Sequence, residues 1–136
     1  MTTVSAPKPT SEATTRGVRV SVESQYLAEQ SAPSQNRYVF AYTIQIANES
    51  SRAVQLRSRH WVITHGDGHV EEVRGPGVVG AQPHLSPGEA FKYTSGAVLR
   101  TPRGTMHGEY NMVDSDGEPF DVDIATFSLE MPYSLN

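Results

Sequence analysis

The chain has 136 residues, no cysteine, 11 lysines and arginines against 15 aspartates and glutamates, and a formal net charge of −4. That is the length of one domain. The charge excludes a general nucleic-acid binder, which needs concentrated positive surface, and the missing cysteines exclude disulfide stapling, zinc–thiolate centres and thiol nucleophiles. No apolar run approaches the roughly 18 residues of a membrane span, so no membrane partner is expected.

Residues 1–15, MTTVSAPKPTSEATT, are rich in Thr, Ser, Ala and Pro. They hold no apolar stretch long enough for a signal-peptide core and too little apolar surface to offset ordering entropy, which predicts a disordered tail ahead of a domain over 16–136. Val18, Val20 and Val22 form a first strand. From Tyr38, the apolar Phe40, Tyr42, Ile44 and Ile46 recur at every second position, the period of a strand with one buried face. Val54 to His65 is the third strand, with a change of phase: Val54 and Leu56 are even, Trp61 and Ile63 odd. Either the strand bulges within Arg57-Ser58-Arg59-His60 or one face there is charged. Trp61, the single tryptophan, is expected in the core.

His69 to Val73 is the hairpin partner across Gly66-Asp67-Gly68. Phe91 to Leu99, Thr105 to Val113 and Phe120 to Met131 follow, and in the last the phase changes again at Ala125-Thr126, which predicts a bulge. Prolines 33, 76, 83, 87, 102, 119 and 132 all fall between apolar runs. About seven strands with turn signals roughly every ten residues describe an all-β antiparallel sandwich.

Gly75-Pro-Gly-Val-Val-Gly80 has the spacing of a dinucleotide-binding fingerprint. Such a fingerprint must open a helix, whereas Pro83, Pro87 and Gly88 break the chain directly afterwards, so the nucleotide fold is excluded. Two readings of the loop stay open. Either the glycines serve a tight turn crossing between sheets, or Gly75, Gly77 and Gly80 form an anion-binding nest, less the donor that Pro76 lacks, aided by an arginine. Arg57 and Arg59, which strict alternation puts on one strand face, and Arg74, directly before the loop, are the candidate arginines. Arg100 and Arg103 bracket a later turn.

His65 and His69 flank the Gly-Asp-Gly turn and are candidate metal ligands, with Asp67 as a third. Asp114-Ser-Asp-Gly-Glu118 resembles the opening of a calcium loop but lacks the later bidentate glutamate, and reads as another hairpin turn. No nucleophile elbow or consistent catalytic set is present, so no enzyme and no cofactor are expected.

The stretches Tyr38-Val-Phe-Ala-Tyr-Thr-Ile, Ser58-Arg-His-Trp-Val-Ile-Thr, Gly75-Pro-Gly-Val-Val-Gly-Ala-Gln-Pro, Tyr93-Thr-Ser-Gly and Met131-Pro-Tyr-Ser-Leu-Asn136 resemble the ApaG family over about residues 17 to 136. The resemblance implies an immunoglobulin-like, fibronectin type III-like sandwich. It brings no catalytic residues. Members of the family are encoded beside a diadenosine tetraphosphate hydrolase and are linked to divalent cation efflux, and a related domain serves F-box proteins as a protein-binding module. The expectation is a non-enzymatic interaction domain with a protein partner. The alternatives are phosphate, pyrophosphate or nucleotide binding at the glycine loop, and a role in cobalt or magnesium homeostasis. With no signal-peptide core, cysteine or lipidation site, a cytoplasmic location is expected.

Overall fold

The computed structural model describes residues 8–132. Its strands are β1 (Thr10–Thr15), β2 (Val18–Tyr26), β3 (Tyr38–Asn48), β4 (Val54–His65), β5 (Val70–Pro76), β6 (His84–Leu85), β7 (Ala90–Leu99), β8 (Arg103–Asp114) and β9 (Pro119–Glu130). They form two antiparallel sheets, one in the order β1-β2-β3-β7 and the other β5-β4-β8-β9 with β6 pairing β4. The all-β sandwich expected from the sequence is the fold observed. No helix is long and apolar enough to cross a membrane.

Alternation writes the core directly. On β2, Val18, Val20 and Val22 point inward, and on β3 Phe40, Tyr42, Ile44 and Ile46 do the same. Trp61 is 2% exposed and meets Tyr42 and Phe127 at ring-centroid distances of 5.4 and 5.9 Å. Such aromatic pairs add roughly 0.5–1.5 kcal/mol each beyond area burial.

Both phase changes are bulges. Along β8 and β9, Met106 pairs Phe127 but Gly108 pairs Ile124, so Ala125 and Thr126 together oppose His107. The extra residue returns Phe127 and Leu129 to the core side that Val122 and Ile124 occupy. In β4, Leu56 pairs Met112 and Ser58 pairs Asn111, which leaves Arg57 over. This corrects the shared face expected of Arg57 and Arg59. Beyond the bulge Arg59 pairs the fully buried Tyr110 and faces inward, while Arg57 stays exposed.

The predicted disordered tail is also corrected where the structure describes it. Thr10–Thr15 is an edge strand paired with β2 from Thr10↔Glu23 to Thr15↔Val18. Arg16 and Gly17, with φ of 49° and 83°, make a two-residue turn with both angles positive, whose twist suits a hairpin. Polar contacts hold the strand instead of apolar burial: Ser11 Oγ donates to the Ala125 carbonyl at 2.9 Å, and the Asp123 N–H donates to Thr15 Oγ1 at 3.1 Å. Residues 1–7 of the predicted tail lie outside the described residues.

These contacts close one side of the sandwich, where β1 and β2 lie against β9; Ser24 Oγ also donates to the Ser128 carbonyl there, at 2.7 Å. The opposite side is open. Among the described residues, edge strand β7 pairs only β3, and edge strand β5 pairs only β4.

Candidate functional site

The open side carries two concavities in a row. At one end, a cleft of about 380 Å³ has Tyr42, Tyr93 and Ser95 on the first sheet facing Arg59, Trp61 and the glycine loop on the second. At the other, a cleft of about 420 Å³ has Val98 and Arg100 facing His65, His69 and Glu71. A larger depression, about 620 Å³, lies on the outer face of the first sheet, where both carboxylates, Glu12 and Glu23, already have partners. Arg19 and the Ser21 hydroxyl take Glu12, and Lys8 lies 3.6 Å from Glu23.

The glycine loop folds across the open side for reasons that separate its glycines. Gly75 pairs Arg59 across the strands, and a Cβ there would meet the Arg59 guanidinium at 3.1 Å, so glycine lets that group lie flat over β5. Gly77 has φ of 61°, and a Cβ would come within 2.3 Å of the Ala81 carbonyl oxygen. Val78 and Ala81 exchange two 2.8 Å backbone bonds around Val79-Gly80, whose φ values of 42° and 80° define a tight two-residue turn. The Gly77 N–H donates to the Arg57 carbonyl at 2.9 Å. The amides of Gly77, Val78 and Ala81 are therefore used within the protein, and those of Val79 and Gly80 are left at the cleft rim.

The three candidate arginines are dispersed. Arg57 borders a separate concavity with His84 and Asp114. Arg74, 71% exposed, lies 4.0 Å from Glu72 and does not line the cleft. Arg59 alone enters it, where Nη1 donates to the carbonyls of Pro76 and Gly77, both at 2.9 Å. Around it stand hydroxyls that the sequence reading missed. Tyr93 and Tyr110 share a 2.5 Å O–H···O bond. Burial pushes both phenols well above their usual titration range, against the opposing pull of the Arg59 charge. Burial raises Tyr42 as well, opposed by a hydrogen bond with Ser95 and by Arg59. All three hydroxyls stay protonated at neutral pH and serve as neutral hydrogen-bonding groups.

In the second cleft, the expected facing of the histidines is present, with ring centroids 5.0 Å apart. The third group differs. One donor atom from each of His65, His69 and Glu71 lies within 4.8 Å of the others, whereas Asp67 is occupied, accepting from the His69 N–H at 3.0 Å and Arg100 Nε at 2.8 Å. These bonds, the backbone one first, hold the Asp67 carboxyl below its usual range. His65 is buried, and its Nδ1 accepts the Arg100 N–H at 3.2 Å, so the neutral ring carries its proton on Nε2 and donates it to Glu71. A metal taking Nε2 would have to break both bonds. Glu71 was missed because strand pairing across the turn, not sequence spacing, brings Ile63 and Glu71 level.

The family profile of the ApaG domain matches residues 28–114. Protein ApaG of Thiobacillus denitrificans is 59% identical over 119 residues, 88% of this chain and 94% of that one. Protein ApaG of Rhodospirillum centenum is 56% identical over 119 residues, 88% of this chain and 92% of that one. Among solved structures, a Bordetella pertussis protein described as ApaA superposes with a TM-score of 0.84 at 53% identity, covering 95% of this chain and 100% of its own. None of these descriptions names an enzymatic activity. With a profile spanning more than half of its length and relatives aligned almost end to end, this chain belongs to the ApaG domain family.

Proposed function

We infer that the protein is a non-enzymatic binding domain that takes an extended segment of a protein partner along its open side, as a strand added to β7. The supporting observation is the asymmetry of the two free edges. Strand edges are normally guarded by charge or proline. Edge β5 has that guard in Glu71, Glu72, Arg74 and Pro76, whereas β7 from Tyr93 to Leu99 has neither. Val70, Val73, Val79 and Val98, the exposed large hydrophobics among the described residues, all sit on β5, β7 or the loop between the sheets. An added strand gains backbone hydrogen bonds from such an edge and specificity from the clefts beneath it.

A photoreactive residue placed at Val79 or Val98, and at exposed Gln45 on the outer face of the first sheet, tests this reading in cells. A discrete protein adduct is expected from positions 79 and 98 and not from 45. Equal yields at all three, or adducts only at 45, would refute it. The proximity of His65, His69 and Glu71 favours a second reading, a divalent-cation site. Calorimetry with cobalt, magnesium or zinc decides it, and heats equal to buffer blanks dismiss it.

A further inference from the structure

We propose that the cleft over Arg59 is a carboxylate-binding site, suited to a singly charged carboxylate on an apolar or aromatic body. The inference stands on the cleft itself and does not require that a strand add to β7.

Arg59 is a half-buried cation with no carboxylate within 4.0 Å among the described residues. Nη1 spends its two hydrogens on the Pro76 and Gly77 carbonyls, which fixes the plane of the guanidinium against Gly75. Its remaining nitrogens bond to no described residue. A guanidinium held rigid, partly dry and uncompensated is prepared for a charge-assisted bond, because the ordering cost is already met by the loop. The Tyr42 and Tyr93 rings and Trp61 form apolar walls, and Ser95 supplies a hydroxyl.

Charge decides among anions. One guanidinium balances one carboxylate, whereas a phosphate dianion would leave an uncompensated negative charge against aromatic walls in a protein of net charge −4. The tyrosine walls are phenols, neutral at neutral pH, and add no negative charge of their own. The space of about 380 Å³ accepts a ring or a short side chain beside the carboxylate.

Titration of the full chain with benzoate, followed by backbone amide shifts, tests the site. Saturable shifts are expected at Val79, Gly80, Tyr93 and Ser95. Equimolar benzamide and inorganic phosphate should bind at least tenfold more weakly. Arg59→Lys keeps the charge but loses the planar clamp, and is expected to weaken benzoate at least tenfold. Because that variant also loosens the loop, Val79→Asp gives an independent check: aspartate accepts the positive φ better than valine and sets a negative charge at the rim. It should fold and lose benzoate binding. A second arm compares a valine- and threonine-rich peptide carrying one glutamate with its glutamine counterpart. A preference for glutamate identifies a partner's side chain as the source, and benzoate binding without that preference identifies a free carboxylate. Equal binding of benzoate and benzamide, or benzoate binding untouched by Val79→Asp, overturns the proposal.

Discussion

Two buried polar residues show how single side chains set local geometry. Asn48 is fully buried and makes four bonds: Nδ2 donates to the Arg52 and Leu85 carbonyls at 2.8 and 2.9 Å, and Oδ1 accepts from the Ser50 amide and hydroxyl at 3.1 and 2.7 Å. It ties the end of β3 to the β6 segment. Asn48→Ala leaves the buried Leu85 carbonyl without its donor and removes the part-buried bonds to Ser50 and Arg52, and urea unfolding should read a loss on the order of 1–3 kcal/mol. Asp114 ends β8, and its Oδ1 accepts from the Asp116 and Glu118 amides at 2.8 and 3.0 Å. The Glu118 amide first, then the Asp116 amide and the charges of Arg52 and Arg16, hold its carboxyl below the usual value against partial burial. A depressed folded-state pKa gives stability that is present above the unfolded value, about 3.9, and lost as pH falls through the folded one. Acid titration of the melting temperature should therefore fall below about pH 4, and more shallowly in Asp114→Asn.

At the scale of elements, the glycine loop separates strain from necessity. Val79 is β-branched with φ of 42°, a conformation that costs an L side chain roughly 1–2 kcal/mol. Val79→Asn should relieve part of this and raise thermal stability. Gly77→Ala goes the other way, adding the same conformational cost to a 2.3 Å collision with the Ala81 oxygen. Calorimetric unfolding of the two variants should bracket the parent, and a neutral Gly77→Ala would contradict the geometry. The bulges belong to this scale too. The one in β9 was legible because the apolar phase switched from Ile124 to Phe127, and a packed face cannot absorb such a switch without an extra residue; the switch from Leu56 to Trp61 allowed a charged face as well, until the register with β8 showed the bulge.

For the whole molecule, the asymmetry between a closed and an open side governs behaviour. Strand β1 covers the edge of the valine-rich β2 and bonds to β9, so it protects a flank that would otherwise present an apolar edge. A chain beginning at Arg16 should melt at lower temperature and associate at concentrations where the full chain does not, as read by calorimetry and light scattering. An unchanged melting temperature would mean that β1 contributes nothing to closure.

The sequence alone determined the fold class, the apolar buried faces and the bulge at Ala125-Thr126, because these follow from the period of apolar residues along a single strand; in β4 it left a bulge and a charged face as alternatives, which only the pairing with β8 decided. It also excluded a nucleotide fold, since prolines after Gly80 forbid the required helix. It did not disclose β1, whose Thr- and Ser-rich strand is held by hydrogen bonds to residues more than a hundred positions away. Nor could it group the candidate site. Arg57, Arg59 and Arg74 are close in the strand and hairpin, yet one bulge and one edge position send them to three different surroundings. Tyr42, Tyr93 and Ser95 join Arg59 only because the two sheets stack with one side left open. Local patterning fixes which way the apolar side chains face; strand register and the packing of sheet on sheet decide where the polar ones point and what each meets.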